Sequence, residues 1–317
     1  VILQFGGQTP LKLAKALNEN GIQVLGTDTD AIDRSEDRER FNALVNKLAL
    51  RQPRSGLART AEDAVRIGQD IGYPVIVRPS YVIGGRAMEV VHSTEALERY
   101  IQTAVNVSPD HPILIDEFLE GAVELDVDVI SDGNEAVIGG VMEHIEEAGV
   151  HSGDSACSLP PYEIRDEVLD VVRDQAKRLA KELEVVGLMN VQFALMGRSV
   201  YVLEVNPRAS RTIPFVSKAT GVPLAKIAAR AMLGESLKDI GLSREPVAHH
   251  VAVKEVVFPF SRFPGNDTLL GPEMKSTGEV MGIGPDFPTA FLKSQWSASC
   301  SLPTQGTILL SVDNADK

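Results

Sequence analysis

LMNVQFALMGRSVYVLEVNPRASR, residues 188–211, decides how the rest of the chain is read. Two runs rich in β-formers flank a Gly-Arg pair, which predicts a hairpin. Side chains alternate faces along a strand. Val191, Phe193 and Leu195 therefore share one face, and Asn190 and Gln192 take the other. In the second run Tyr201, Leu203 and Val205 are expected on the apolar face, with Glu204 and Asn206 opposite. A loop of roughly three residues at Gly197 would bring Gln192 level with Glu204. One carboxylate and two amide oxygens then converge, and hard divalent cations choose such ligands while retaining substrate phosphates. Asn206-Pro207 ends the ladder, because proline has no N–H to give. Arg208 and Arg211 follow at once, suited to phosphate or carboxylate groups. The hairpin reads as a magnesium–nucleotide site.

Composition narrows the field. The chain has 317 residues, enough for two or three domains, and 44% of them are hydrophobic. Its net charge of −13 argues against a nucleic-acid partner, whose phosphates reward a basic surface. Cys157 and Cys300 are far apart and lack CxxC spacing, so neither a disulfide framework nor a zinc site is expected. Cys157 reads as a small loop residue rather than a nucleophile. No stretch approaches the ~20 apolar residues of a membrane span and no signal peptide is visible, so no membrane role and a cytoplasmic location are expected. The chain opens on Val1 inside a strand-like run and closes on GTILLSVDNADK, as a piece of a longer polypeptide would.

Outward from the hairpin, VILQFGGQTPLKLAKALNENGIQVLGT reads as strand, glycine turn, helix and strand, half of a doubly wound α/β unit. Leu11, Leu13, Ala14 and Leu17 are its expected apolar side. The Gly6-Gly7-Gln8-Thr9 turn lacks the full GxGxxG spacing of a dinucleotide site. A charged helix is expected over 35–48 with Phe41, Leu44, Val45 and Leu48 inward. YPVIVRPSYVIGGRAMEVVHS reads as two strands around a Gly84-Gly85 loop, whose amides could approach phosphate oxygens. Helices are expected over 93–105 and 164–185, with β-rich segments between. Two short helices meet at Gly221-Val222-Pro223, and a last helix is expected near 286–296.

RPSYVIGGRAM, MEHIEEAGVHSGDSACSLP, GLMNVQFA, EVNPRASRT and PFVSKATGVPLAKIAAR, in this order, resemble the large subunits of carbamoyl-phosphate synthetases over essentially the whole chain. GVHSGDSACSLP and GGRAMEVV resemble the C-terminal of that family's two ATP-grasp halves. The resemblance implies an α/β (α+β) chain with an ATP-grasp fold, preceded by part of a Rossmann-like pre-ATP-grasp domain. It implies residues 1–35 for that partial domain, 36–235 for the ATP-grasp domain, 236–299 for a continuation, and 300–317 for the start of an allosteric domain.

The same resemblance implies ATP and Mg²⁺ or Mn²⁺, with K⁺ as a further ion, and residue roles. Arg38 and Arg78 would hold ATP phosphates, and the Gly84-Gly85 loop would close over them. Glu117 and Leu119 would form the adenine hinge, largely through backbone groups. Glu124 would accept the ribose hydroxyls, and Gly149, Val150, His151 and Ser152 would line the nucleotide. Gln192, Glu204 and Asn206 would hold the metal, with Gln192 and Glu204 also meeting the nucleotide. Arg208 and Arg211 would face the acceptor and the transferring phosphoryl group. The implied reaction is phosphorylation of carbamate by ATP to carbamoyl phosphate, for pyrimidine and arginine biosynthesis. A glutaminase small subunit or domain and the remainder of the large subunit are the implied partners. Two other readings stand beside it: another carboxylate-activating ATP-grasp ligase such as a biotin carboxylase, whose glycine-lysine loop is missing at 79–87, and a nucleotide-binding module without turnover.

Overall fold

A computed structural model describes residues 1–79, 88–107, 112–263, 265, 267–300, 303, 305–307, 309 and 311, without side chains for 103–107. The Gly84-Gly85 loop and most of the segment after Gly306 lie outside the described residues.

Eleven strands among the described residues form two antiparallel sheets. The smaller contains β1 (Ser55–Ala58), β2 (Val75–Pro79), β3 (Glu89–Val91) and β4 (Ile113–Glu117), in the order β1-β4-β2-β3. The larger contains β5 (Val123–Asp132), β6 (Ala136–His144), β7 (Cys157–Leu159), β8 (Val186–Met196), β9 (Ser199–Asn206), β10 (Val251–Val257) and β11 (Gly278–Gly284), ordered β11-β10-β7-β6-β5-β8-β9. Helices Ala61–Ile71 and Thr94–Val107 flank the small sheet, and Ile71, Val75, Leu97 and Ile115 join in one apolar cluster there. The large sheet is covered on one face by the helix Asp166–Glu182, whose Leu169, Val172, Ala176 and Leu179 meet Val127, Val191 and Phe193. Each such aliphatic side chain contributes about 1.5–3 kcal/mol on burial. Helices Ile213–Thr220 and Leu224–Met232 complete a second cluster around Ile130, Met142 and Leu188, broken at Gly221 with φ of 73°.

The expected hairpin is β8–β9, with Gln192 opposite Glu204 and Asn190 opposite Asn206. Its route differs from the expectation. Met196 pairs with Ser199, so the loop has two residues, and Gly197 supplies the φ of 60° that a glycine-first turn requires. The missing residue appears as a bulge: Phe193 pairs with Val202 and Gln192 with Glu204, leaving Leu203 extra. The bulge also resets the faces. Val200, Val202 and Val205 enter the main core, whereas Tyr201 and Leu203 pack with Leu119, Ala122 and Ala194. The single apolar face expected for Tyr201, Leu203 and Val205 is thus corrected.

At the N-terminus the expected strands reduce to one parallel bridge, Ile2 to Leu25. The expected helix splits into Gln8–Leu11 and Ala14–Glu19; Leu11 and Ala14 are buried, but Leu13 is exposed. Gly6 is required there, since a Cβ would overlap the Pro10 ring. The charged helix also divides, into Thr29–Glu36 and Arg38–Lys47. Asp37 lies between them and accepts the Arg40 N–H at 2.9 Å, a cap that begins the second helix on Arg38. Leu44 and Val45 anchor it to the main core. Val202 of β9 donates its amide to the Arg51 carbonyl at 2.8 Å.

Candidate active site

Between the two sheets lies a cleft of about 810 Å³. Every described residue expected at the site lines it: Arg38, Arg78, Glu117, Leu119, Glu124, Gly149, Val150, His151, Ser152, Gln192, Glu204, Asn206, Arg208 and Arg211. The small sheet supplies one wall through Ile76, Arg78 and Asp116, and the large sheet supplies the other.

Part of the cleft lining is apolar. Leu119, Ala122 and Ala194 are buried, with Ala148, Met196, Tyr201 and Leu203 packed against them. The Glu117 carboxylate points to Arg54, accepting from its Nη2 at 3.1 Å and its backbone N–H at 3.0 Å. That pairing with Arg54 holds its pKa below the usual carboxylate range. A planar base would meet this slot through its aliphatic walls and backbone. Gly149, at φ of 94°, donates its N–H to Glu124 at 3.1 Å. Burial raises the Glu124 carboxyl despite that bond and the nearby His144. His151 accepts the Gly153 N–H on Nδ1 at 2.9 Å, and burial lowers its pKa.

Another part of the lining is ionic. Arg38 forms an ion pair with Asp116 across the two sheets' bodies, and Arg78 is close enough to lower its pKa further. Burial is the larger cause of that lowering. Two guanidiniums facing one carboxylate leave positive charge for phosphate oxygens.

Gln192 and Glu204 face each other across the ladder. Asn206 donates Nδ2 to Glu204 Oε1 at 2.7 Å, while its Oδ1 accepts from Arg208 at 3.0 Å and from Gln8 at 3.4 Å. Among the described residues no group of three His, Cys, Asp or Glu side chains is arranged for a metal. A cation would therefore depend on Glu204 with amide oxygens, which is a hard, oxygen-only set that fits magnesium. As it stands Asn206 turns its amide nitrogen to Glu204 and its oxygen to Arg208 and Gln8, so it would serve as a third ligand only by giving up those bonds. Arg208 is held by Gln8 Oε1 at 3.2 Å and lies near Glu36; burial lowers its pKa and Glu204 opposes that. Arg211 is exposed, over Gly153, with its guanidinium on the Met274 sulfur.

Several lining residues escaped the sequence reading. Asp126 of β5, opposite Gln192, lines the cleft beside Glu124, and Asp128 follows at the next alternate position, opposite Asn190. The ELDVDV alternation carried that signal, but only Glu124 was singled out. Asp126 meets His144 Nε2 at 2.9 Å. Burial opposes a charged His144, but Cys157 and Asp126 outweigh it and raise its pKa, while His144 lowers that of Asp126. Cys157 is accordingly not a loop residue: it is wholly buried on β7, paired in register with His144 of β6. Lys254 of β10, also buried, reaches Ser152 O at 3.4 Å, and Gln8 comes from the glycine turn that reads poorly as a dinucleotide motif.

The fold is that of solved ATP-grasp carboxylases. A biotin carboxylase–β-γ-ATP complex from Campylobacter jejuni superposes with a TM-score of 0.70 at 15% identity, over 88% of this chain and 69% of that one. The biotin carboxylase domain of Hydrogenobacter thermophilus 2-oxoglutarate carboxylase, with MgADP, ADP and bicarbonate, gives 0.69 at 19% identity over 87% and 68%. At those identities the likeness speaks for the fold. In sequence, the carbamoyl phosphate synthase large chains of Myxococcus xanthus and Pasteurella multocida are 58% and 59% identical over all 317 residues. The chain spans 29% and 30% of the length of those two relatives. No helix among the described residues is long and apolar enough to cross a membrane. Residues 37–240 match the family described as carbamoyl-phosphate synthase L chain, ATP binding domain, and the chain belongs to that family of ATP-grasp ligases.

Proposed function

We propose that this chain phosphorylates carbamate with ATP, as the C-terminal synthetase half of a carbamoyl-phosphate synthase large chain. The observation that carries the reading is the set of groups gathered on one cleft: an apolar slot, Arg38 and Arg78, Gln192 opposite Glu204, and Arg208 and Arg211. That set matches adenine, phosphates, a metal and an anionic acceptor. The bias toward carbamate over bicarbonate rests on GVHSGDSACSLP and GGRAMEVV.

In this reading Arg38 and Arg78 bind the phosphates and Glu124 accepts from the ribose. Gln192, Glu204 and Asn206 hold Mg²⁺ or Mn²⁺, which neutralises phosphate charge when bound. Arg208 and Arg211 orient the carbamate and stabilise the transferring phosphoryl group. A carbamate oxygen attacks the γ-phosphorus, the bond to the β–γ bridging oxygen breaks, and ADP leaves with that electron pair. Carbamate is labile, so water must be excluded while it reacts. K⁺, a glutaminase partner, the rest of the large chain, and supply of product to pyrimidine and arginine synthesis belong to the same reading.

Formation of ATP from carbamoyl phosphate and MgADP tests it. The protein should make ATP, and Glu204→Gln should lower the rate by about 10²-fold or more through loss of the charged ligand. A wild-type-like rate in Glu204→Gln refutes the metal assignment; wild-type nucleotide binding without ATP formation refutes the function. Arg211→Ala should reduce turnover by about 10²–10³-fold with MgADP affinity little changed, and parallel losses in both would contradict an acceptor-side role.

A further inference from the structure

Asp128 has no role in the sequence reading, yet it is among the least exposed charged residues in the fold, at 1%. It lies on β5 opposite Asn190, which lines the cleft. Its Oδ1 accepts from Asn190 Nδ2 at 2.9 Å and from Ser210 Oγ at 2.7 Å, and its Oδ2 accepts from Thr212 Oγ1 at 2.7 Å. The two hydroxyls are themselves 2.7 Å apart. Ser210 and Thr212 are the residues on either side of Arg211.

This placement answers a mechanical need. Between β9 and the helix Ile213–Thr220 the chain has no ladder to hold it. Arg208 is fixed by Gln8 and Asn206, and Ala209 donates its N–H to Gln4 O at 2.9 Å. Arg211 is different: it is exposed, and its tip rests on a thioether. A long, mobile side chain can serve phosphoryl transfer only if its root is held to a fraction of an ångström. A carboxylate is the one small side chain that only accepts, with two oxygens able to take several donors.

We propose that Asp128 is the positioning residue for Arg211, tying both of its neighbours to the sheet so that its guanidinium stands over the acceptor. The inference rests on the reading of Arg211 as the acceptor-side cation. Removing the tether loosens Arg211 in the transition state and leaves Arg38, Arg78 and Glu124, the proposed nucleotide contacts, in place.

The experiment is a double-mutant cycle in the intact large chain, read as ATP formation from carbamoyl phosphate and MgADP, with MgADP affinity by calorimetry. Asp128→Ala should lower kcat by about 10²-fold with MgADP affinity within about threefold of wild type. Asp128→Asn keeps the shape and lets the Thr212 hydroxyl turn to accept, so it should recover activity to within about fivefold. In an Arg211→Ala background, Asp128→Ala should cost less than about threefold more, because the tethered group is already gone. Ser210→Ala with Thr212→Val leaves Asp128 in place and should give the same split, which keeps the test valid if Asp128→Ala fails to fold. Equal losses with and without Arg211, or affinity falling in step with kcat in the Ser210/Thr212 variant, would overturn the proposal. A wild-type protein that makes no ATP from carbamoyl phosphate but hydrolyses ATP with bicarbonate would overturn the carbamate reading instead, and the same cycle in that ATPase then decides Asp128.

Discussion

Burial and hydrogen bonding pull Asp128 in opposite directions, and burial wins. Three donors favour its ionised form, but the low-dielectric surroundings and the neighbouring Asp126 push its pKa up to about 6. A carboxyl raised in the folded state binds more protons there than in the unfolded chain. Its contribution is therefore fully present below the unfolded value near 4 and is lost as pH rises through about 6. Asp128→Asn resembles the protonated form at every pH. It should be more stable than wild type at pH 7, by up to about 3 kcal/mol, with the gap closing toward pH 4. Urea unfolding of both proteins at the two pH values checks the sign; a gap that widens on acidification would contradict it. The proposed metal-side residues were legible at this scale because strand phase groups Asn190 with Gln192 and Glu204 with Asn206, and the assumed loop length set the two pairs level. Asp128 was not, because its value comes from Ser210 and Thr212, 82 and 84 positions away.

At the scale of elements, the hairpin reached its expected register by an unexpected path. A two-residue turn and a bulge at Leu203 together equal the three-residue loop inferred from sequence. A regular strand gives alternate residues to one face. The bulge lets Leu203 and Glu204, adjacent in the chain, both line the cleft. Leu203→Ala should therefore weaken nucleotide binding by about 3–10-fold, the worth of a few buried methyl(ene) groups, and leave kcat nearly unchanged. Calorimetry with MgADP measures it, and an unaltered affinity would place Leu203 outside the base slot. Bulges and cap positions such as Asp37 leave little trace in hydrophobic periodicity. The period-two and period-3.6 patterns placed Asp166–Glu182 and the β8–β9 pair well, and blurred Gln8–Glu19, where Leu13 turned out exposed.

Across the whole molecule, the cleft lies between two sheets that rest on separate apolar clusters, so a ligand in it touches residues of both sheets. Ligand that binds only the folded state stabilises it by mass action, about 3 kcal/mol at a hundredfold excess over Kd. MgADP should raise the unfolding midpoint, and Arg38→Ala should shift the required MgADP concentration upward by about tenfold, since that guanidinium is proposed to bind the phosphates. Thermal scans at graded MgADP concentrations check this, and identical curves for both proteins would remove Arg38 from the phosphate site. The two-sheet arrangement was legible only through the family resemblance, because no local pattern states which strands share a sheet. One long-range contact has a consequence for crowding. By engaging the Val202 amide, the Arg51 carbonyl occupies a rim position where a strand from another copy would zip on. Concentrated protein is thereby denied one template for edge-to-edge growth.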